Sequence, residues 1–366
     1  MDFITYHMPT KILLNEDVIS KNSILFTSYG EKALIVTGKT SSITNGSLKD
    51  VTDVLDKEGI SYDIFNKVEE NPSIETIESI SKLGRSKKSN FIIGVGGGSP
   101  IDAAKAAGVL INNPTATRYN LFDSTHLKSI PVIAVPTTAG TGTETTPYAI
   151  VTNNELQTKL GICQRIYPEY ALLDVKYLMF LPDQITINTT IDALSHLIEG
   201  YLSSNASIFS DALAEKGLKL FGESLTMIKE RDFTYTLRKK LMVASTLAGM
   251  VIAQSGTSLP HGMGYALTYF HNIPHGKANG ILLKSYLEFC QDESKVRKIL
   301  YLLTLENLDE FGDFLCDILG NINTVSYSEI CSYASIMALN NNKLKNHTSP
   351  VTKEDILKIY KTSLKL

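Results

Sequence analysis

The stretch that decides the fold is Phe91-Ile92-Ile93-Gly94-Val95-Gly96-Gly97-Gly98-Ser99-Pro100-Ile101-Asp102. It begins as a short apolar run, the pattern of a strand buried on both faces, and passes through glycines into a helix-like segment from Ala103. Glycines let backbone approach a ligand closely and leave their N–H groups unhindered. Ser99 is placed as an N-cap and Pro100 suits the first helical position. The run therefore predicts strand, tight loop and helix, with the helix N-terminus offering a site for an anion. A tight turn without a ligand is the plainer alternative. The loop departs from the usual G-x-G-x-x-G dinucleotide fingerprint, because Ser99 occupies its last place.

The flanking sequence repeats the pattern. Ala33-Leu34-Ile35-Val36 and Pro131-Val132-Ile133-Ala134-Val135 read as further buried strands, and Leu48 to Glu58 and Ile74 to Lys87 carry helical periodicity. Apolar strands alternating with helices predict a parallel sheet covered on both faces, with ligands beyond the carboxyl ends of its strands. The strand from Pro131 runs into Pro136-Thr137-Thr138-Ala139-Gly140-Thr141-Gly142-Thr143-Glu144, whose small residues and hydroxyls suit a loop wrapped on a cofactor or, more plainly, a polar connector. From Leu181 the texture changes. Ile191 to Ser203, Ser210 to Lys229 and Leu237 to Ile252 all read as helices. The expected organisation is an α/β nucleotide-binding domain over residues 1–180 and an all-α domain over 181–366, closely packed with a cleft between them.

Bulk properties narrow the partners. The chain has 366 residues, 43% hydrophobic and 20% charged, with a net charge of -3, which argues against a nucleic-acid partner and for a small substrate. No apolar run approaches the roughly 20 residues of a membrane span. The start, Met1-Asp2-Phe3-Ile4-Thr5-Tyr6-His7, has neither a basic segment nor an apolar core, so a cytoplasmic location is expected. Cys163, Cys290, Cys316 and Cys331 show no paired spacing and are expected to be free thiols.

Asp192 and His196 stand four apart in a helical segment, so their side chains share one face. His261 and His275 each precede a glycine, which leaves room for close approach. One carboxylate and three imidazoles suit Fe(II), Zn(II) or a related divalent ion. The plainer alternative is separate histidines in capping or core roles. Four of the chain's seven histidines nevertheless fall between His196 and His275.

These stretches, together with Asp192-Ala193-Leu194-Ser195-His196-Leu197-Ile198-Glu199-Gly200-Tyr201, His261-Gly262-Met263-Gly264-Tyr265 and Pro274-His275-Gly276-Lys277-Ala278-Asn279-Gly280, resemble the iron-containing (group III) alcohol dehydrogenases in their order. In look they stand nearest the family's 1,3-propanediol dehydrogenases. The resemblance implies a dehydroquinate-synthase-like fold and metal ligation by Asp192, His196, His261 and His275. It also implies cofactor contacts from Gly96, Gly97, Gly98, Ser99 and Asp102, from Thr137, Thr138 and Thr141, and from Lys159 near the ribose. A homodimer is expected on the same ground.

Two departures from the family pattern stand out. Many members carry a second histidine four places after the third ligand, where this chain has Tyr265, so His271 becomes the candidate for passing a proton to solvent. NAD-preferring members often carry Asp after the first strand; here Gly38, Lys39 and Ser41 lie in that region, which removes repulsion of a 2′-phosphate. The expected activity is interconversion of a short-chain primary alcohol or diol with its aldehyde. Fe(2+) is the expected metal, with Zn(2+) the alternative, and NADP(H) is expected in preference to NAD(H). The runner-up is a zinc- and NAD-dependent polyol oxidoreductase like glycerol dehydrogenase, followed by a dehydroquinate-synthase-like lyase.

Overall fold

The computed structural model describes residues 5–123 and 126–366. The chain forms two compact units. One comprises Met8–Thr138 and Gly142–Leu181; the other comprises Pro182–Leu366 with the short pieces Met1–His7 and Ala139–Thr141. The main boundary falls between Leu181 and Pro182, and those two pieces lie outside a simple division there.

The first unit is built on a six-stranded parallel sheet and a separate hairpin. Its strands are β1 (Lys11–Leu14), β2 (Lys32–Gly38), β3 (Ser61–Val68), β4 (Phe91–Gly96), β5 (Val132–Pro136), β6 (Ile150–Asn153), β7 (Thr158–Gly161) and β8 (Tyr170–Leu173). The sheet runs β1-β8-β5-β4-β2-β3, and β6 pairs antiparallel with β7. The helices here are α1 (Val18–Lys21), α2 (Ser41–Thr44), α3 (Ser47–Lys57), α4 (Ile74–Lys87) and α5 (Gly98–Asn112). Alternation along each strand divides the core in two. Leu34, Val36, Ile92 and Val132 pack with Ile77, Ile80 and Ala103 from α4 and α5. Ala33, Ile35, Phe91, Ile93 and Ile133 face the other way, against Val51, Val54 and Leu55 of α3. Each of the valine, leucine, isoleucine and phenylalanine side chains among these, once fully buried, contributes roughly 1.5–3 kcal/mol.

The second unit contains α6 (Asp183–Tyr201), α7 (Ile208–Gly222), α8 (Leu225–Glu230), α9 (Tyr235–Ser255), α10 (Leu259–His271), α11 (His275–Phe289), α12 (Glu293–Leu302), α13 (Leu308–Leu319), α14 (Tyr327–Met337), α15 (Asn341–Leu344) and α16 (Lys353–Leu364). The single helix expected over Ser210 to Lys229 is broken into α7 and α8. At Gly222 a Cβ would lie 2.1 Å from Leu302 O, so the backbone after α12 presses against the break and only glycine fits. No single helix is long and apolar enough to cross a membrane among the described residues. All four cysteines are free.

Candidate metal centre and nucleotide loop

In the α/β unit, sheet order changes direction between β2 and β4, since β3 lies outside β2 while β5 lies beyond β4. Such reversals open a crevice at the carboxyl ends of the strands. Thr37 pairs with Val95 and Gly96 with Pro136, so Gly38, the Gly96–Ser99 loop and Thr137 emerge side by side there. Gly38 is half-buried and Lys39 and Ser41 are exposed. Gly96 has φ +148, and a Cβ there would meet Pro100 Cγ at 2.7 Å, so the turn requires glycine. Thr138 packs against Gly97, where a Cβ would come within 3.2 Å of its Oγ1.

The N-cap expectation at Ser99 is corrected. Helix α5 already begins at Gly98, with Gly97 as N-cap and no side-chain cap bond. The Ser99 hydroxyl instead accepts from Asn71 N–H at 3.0 Å, which ties the turn after β3 to the start of α5. Asp102 also has structural partners: its two oxygens accept from Thr143 Oγ1 and, at 2.9 Å, from Ile150 N–H. One turn further on, the fully buried Lys105 donates to Thr143 O at 2.5 Å and to Thr146 O and Tyr148 O, each at 2.8 Å. Asp102 and Lys105 thus fasten the Thr143–Ile150 segment. Lys159 lies on β7, opposite Thr152 of β6, and its charge acts on Asp102.

In the helical unit, Asp192, His196 and Glu199 occupy positions i, i+4 and i+7 of α6, one stripe of the helix, and all are buried. His261 lies in the first turn of α10 and His275 opens α11. Small residues set the helix spacing. At Gly276 a Cβ would lie 1.7 Å from Asn188 O and 3.2 Å from Asp192 Cβ, so α11 meets α6 backbone to backbone. That contact delivers His275 to Asp192.

Donor atoms of Asp192, His261 and His275 all lie within 4.8 Å of one another. Asp192 Oδ1 is 3.5 Å from His261 Nε2 and 3.7 Å from His275 Nε2. Donors each about 2.1 Å from one ion stand roughly 3–4 Å apart, so these three fit a common metal. His196 lies outside that set; its ring stacks on His261 with centroids 4.4 Å apart. His196 Nδ1 and His261 Nε2 are buried without a hydrogen-bond partner, as donor atoms kept for an ion would be. Thr141 and its neighbours Ala139 and Gly140 belong to this unit.

Electrostatics fit the same reading. Burial alone would raise the Asp192 carboxyl, but the surrounding His196, His275 and His261 outweigh it and hold the group well below the usual range. Burial pulls His196 down to about 4 against the opposing charge of Asp192, so its ring is neutral at pH 7, the form that ligates. His261 is pulled down by burial and up by Glu199 and Asp192, with a net rise, so a metal there competes with a proton.

Two supporting residues escaped the sequence reading. Glu199 Oε1 bonds His261 Nδ1 and accepts from Ser195 Oγ at 2.7 Å, while Oε2 accepts from Ser258 N–H at 2.7 Å and His261 N–H at 3.4 Å. A carboxylate on the first amides of α10 is favoured by the helix dipole, and a carboxylate behind a metal-ligating histidine fixes its tautomer. Asn279, four after His275, donates to Asp192 Oδ1 at 3.0 Å and stands 3.2 Å from His275 Nε2. Both residues carry a signal in helical spacing from a ligand already chosen.

His271 is not brought to this cluster. It ends α10, roughly 15 Å along the axis from His261, and its Nε2 pairs with Tyr333 Oη at 2.9 Å and lies 3.6 Å from Glu329 Oε1. The proton role expected of it has no geometric support. Tyr265 is the residue beside the ligands, its ring stacked on His275 at 5.7 Å.

The chain thus carries a nucleotide-type crevice and an Asp/His cluster able to hold a metal, on a dehydroquinate-synthase-like fold. Comparison with known proteins sharpens this. Residues 9–175 match the model for iron-containing alcohol dehydrogenase, and residues 186–364 match that for the C-terminal part of the Fe-containing alcohol dehydrogenase family. Lactaldehyde reductase of Escherichia coli K12 is 33% identical over 269 residues, covering 72% of this chain and 69% of its own. The NADPH-dependent butanol dehydrogenase of Clostridium saccharobutylicum is 31% identical over 304 residues, covering 80% and 78%. A crystal structure of an iron-containing alcohol dehydrogenase from Thermotoga maritima superposes with TM-score 0.92 at 38% identity, covering 99% of each chain. A 1,3-propanediol oxidoreductase structure gives 0.88 at 25% identity, covering 99% of this chain and 100% of its own. The chain belongs to the iron-containing alcohol dehydrogenase family and is an alcohol dehydrogenase of that family.

Proposed function

We propose that this enzyme interconverts a short-chain primary alcohol or diol with its aldehyde, using NADP(H) and an Fe(2+) ion held by Asp192, His196, His261 and His275. The observation that carries the reading is the convergence of Asp192, His261 and His275 on one point, with Glu199 and Asn279 bonded to them. The chemistry supplied by the bound groups is polarisation of the substrate oxygen by the metal and hydride exchange at nicotinamide. The chain's own contribution is a donor set of one carboxylate and three imidazoles; with the carboxylate ionised and each ring neutral on ligation, a divalent ion keeps about one net positive charge. At the other site, the Gly96–Ser99 loop offers backbone N–H groups at the start of α5 to a phosphate, with Thr137 and Thr138 alongside. The lack of an acidic residue at Gly38, and the exposed Lys39 after it, favour the 2′-phosphate of NADP(H). His271 is left out of the machinery. A cytoplasmic homodimer belongs to the proposal as well, and light scattering on the purified protein checks the dimer.

The test is anaerobic purification with metal analysis, followed by reduction of a panel of short aldehydes with NADPH and with NADH. One iron per chain and a higher kcat/KM with NADPH are expected, and His196→Ala should lose both metal and activity. Full activity in a metal-free variant refutes the metal's role, and a preference for NADH refutes the reading of Gly38.

A further inference from the structure

Lys343, on α15, touches none of the four candidate ligands. Its stem passes Gly262, where a Cβ would meet Lys343 Cγ at 3.2 Å. Its Nζ donates to Thr257 Oγ1 and stands 5.4 Å from the centroid of the Tyr265 ring. Among the described residues no carboxylate lies within 4 Å of this ammonium, so a salt bridge does not explain its position. Burial draws the group down to about 8 against the opposing pull of the more distant Glu199, so it is largely protonated at neutral pH.

Its two contacts lead to different ligands. Thr257 immediately precedes Ser258, whose N–H donates to Glu199 Oε2 at 2.7 Å, and Glu199 Oε1 bonds His261 Nδ1. Tyr265 lies with its ring stacked on His275, centroids 5.7 Å apart and planes at 27°. The turn carrying Thr257 is held from a second point as well. Asn346 Nδ2 donates to Thr257 O at 2.9 Å, and Asn346 Oδ1 in turn accepts from Asn205 Nδ2 at 3.0 Å. Gly256, with φ +71, starts the turn hard against Asn346, so its path has little freedom.

We propose that Lys343 is a positioning residue of the metal centre, bracing His261 through Thr257, Ser258 and Glu199, and His275 through Tyr265. This rests on the metal reading given above. Groups bonded directly to metal ligands change metal affinity by about 10–100-fold when lost, and Lys343, acting through an intermediary on each side, sits below that range. The ammonium acts by placing two intermediaries at once, a hydroxyl through a hydrogen bond and a ring through its π face.

The test uses the full chain, stripped of metal, and cobalt(II) as probe, because its visible bands report ligand geometry while chelator competition gives the affinity. Lys343→Met should bind cobalt several-fold more weakly, below the roughly 10–100-fold of a group bonded directly to a ligand, with shifted bands, and Lys343→Arg should recover most of the loss. Thr257→Val, which leaves the Tyr265 contact in place, should show a smaller loss in the same direction, and carries the test if Lys343→Met does not fold. Wild-type affinity and bands in Lys343→Met overturn the proposal, as does an equal loss in the Met and Arg variants, which would reduce Lys343 to packing. Failure of the wild-type protein itself to take up cobalt is a separate result and overturns the metal reading.

Discussion

Replacement of Gly276 by alanine tests whether the helix contact that delivers His275 is what builds the metal centre. The new Cβ would lie 1.7 Å from Asn188 O, against the 3.0 Å that real Cβ atoms essentially never undercut. The obstacle is backbone in the middle of α6, not the end of a flexible side chain, so the two helices must part by roughly 1.3 Å or more at this point. Metal–ligand distances tolerate only about 0.2 Å. His275 sits one residue before the clash and Asp192 one turn after Asn188, so the displacement falls directly between two ligands. Overpacking of this kind costs about 1–3 kcal/mol in stability. Gly276→Ala should therefore lower the unfolding midpoint modestly and the metal affinity by well over tenfold, with affinity the more sensitive measure. Chelator competition and urea denaturation on the same preparation separate the two. Unchanged metal affinity in a folded variant would refute the view that backbone contact at Gly276 sets the ligand spacing.

Three further outcomes are expected. Glu199→Gln keeps the shape but removes the charge behind His261, so metal affinity should fall about 10–100-fold, measured by chelator competition; equal affinities would show that the carboxylate is not orienting the ring. Lys105→Met leaves Asp102 and Glu144 buried without the cation that acts on both, and Thr143 O, Thr146 O and Tyr148 O without their donor, a loss of about 3–5 kcal/mol that denaturant unfolding should detect. The metal-free protein should lose stability as pH falls from about 6.5 towards 4. There the unfolded chain protonates at His196 and His347, whereas burial holds both groups lower in the fold, His196 at about 4. Each group contributes a slope of up to about 1.4 kcal/mol per pH unit. Stability that is flat across this window in the metal-free protein would contradict the buried, neutral state of these rings.

The parallel sheet was legible because burial on both faces leaves uninterrupted apolar runs, as in Ala33 to Val36 and Phe91 to Val95. The first ligand pair was legible for a similar reason: Asp192 and His196 share a face by spacing alone. Glu199 was within reach on that same stripe, yet a glutamate reads as a surface residue until its amide donors at Ser258 and His261 are in place. Helix starts were harder. Ser99 looks like an N-cap from composition, but the glycines before it allow the helix to begin earlier, and its hydroxyl serves Asn71, 28 residues upstream. His271 becomes a candidate only because Tyr265 stands where the family's second histidine is expected, and that exchange says nothing about where His271 points. Its partner Tyr333 lies 62 residues away, on α14. At the break by Gly222 the glycine is a local mark, but the backbone from another element that demands it has no trace in the nearby sequence.

The place of β1 at the edge of the sheet also bears on synthesis. Among the described residues its one neighbour in the sheet is β8, with Lys11 opposite Tyr170, 159 positions later. On a ribosome adding roughly 5–20 residues per second, the first strand to emerge waits on the order of ten seconds for the last to follow. Throughout that interval β1 has no partner in the sheet, and the backbone N–H and C=O groups that later pair with β8 stay open.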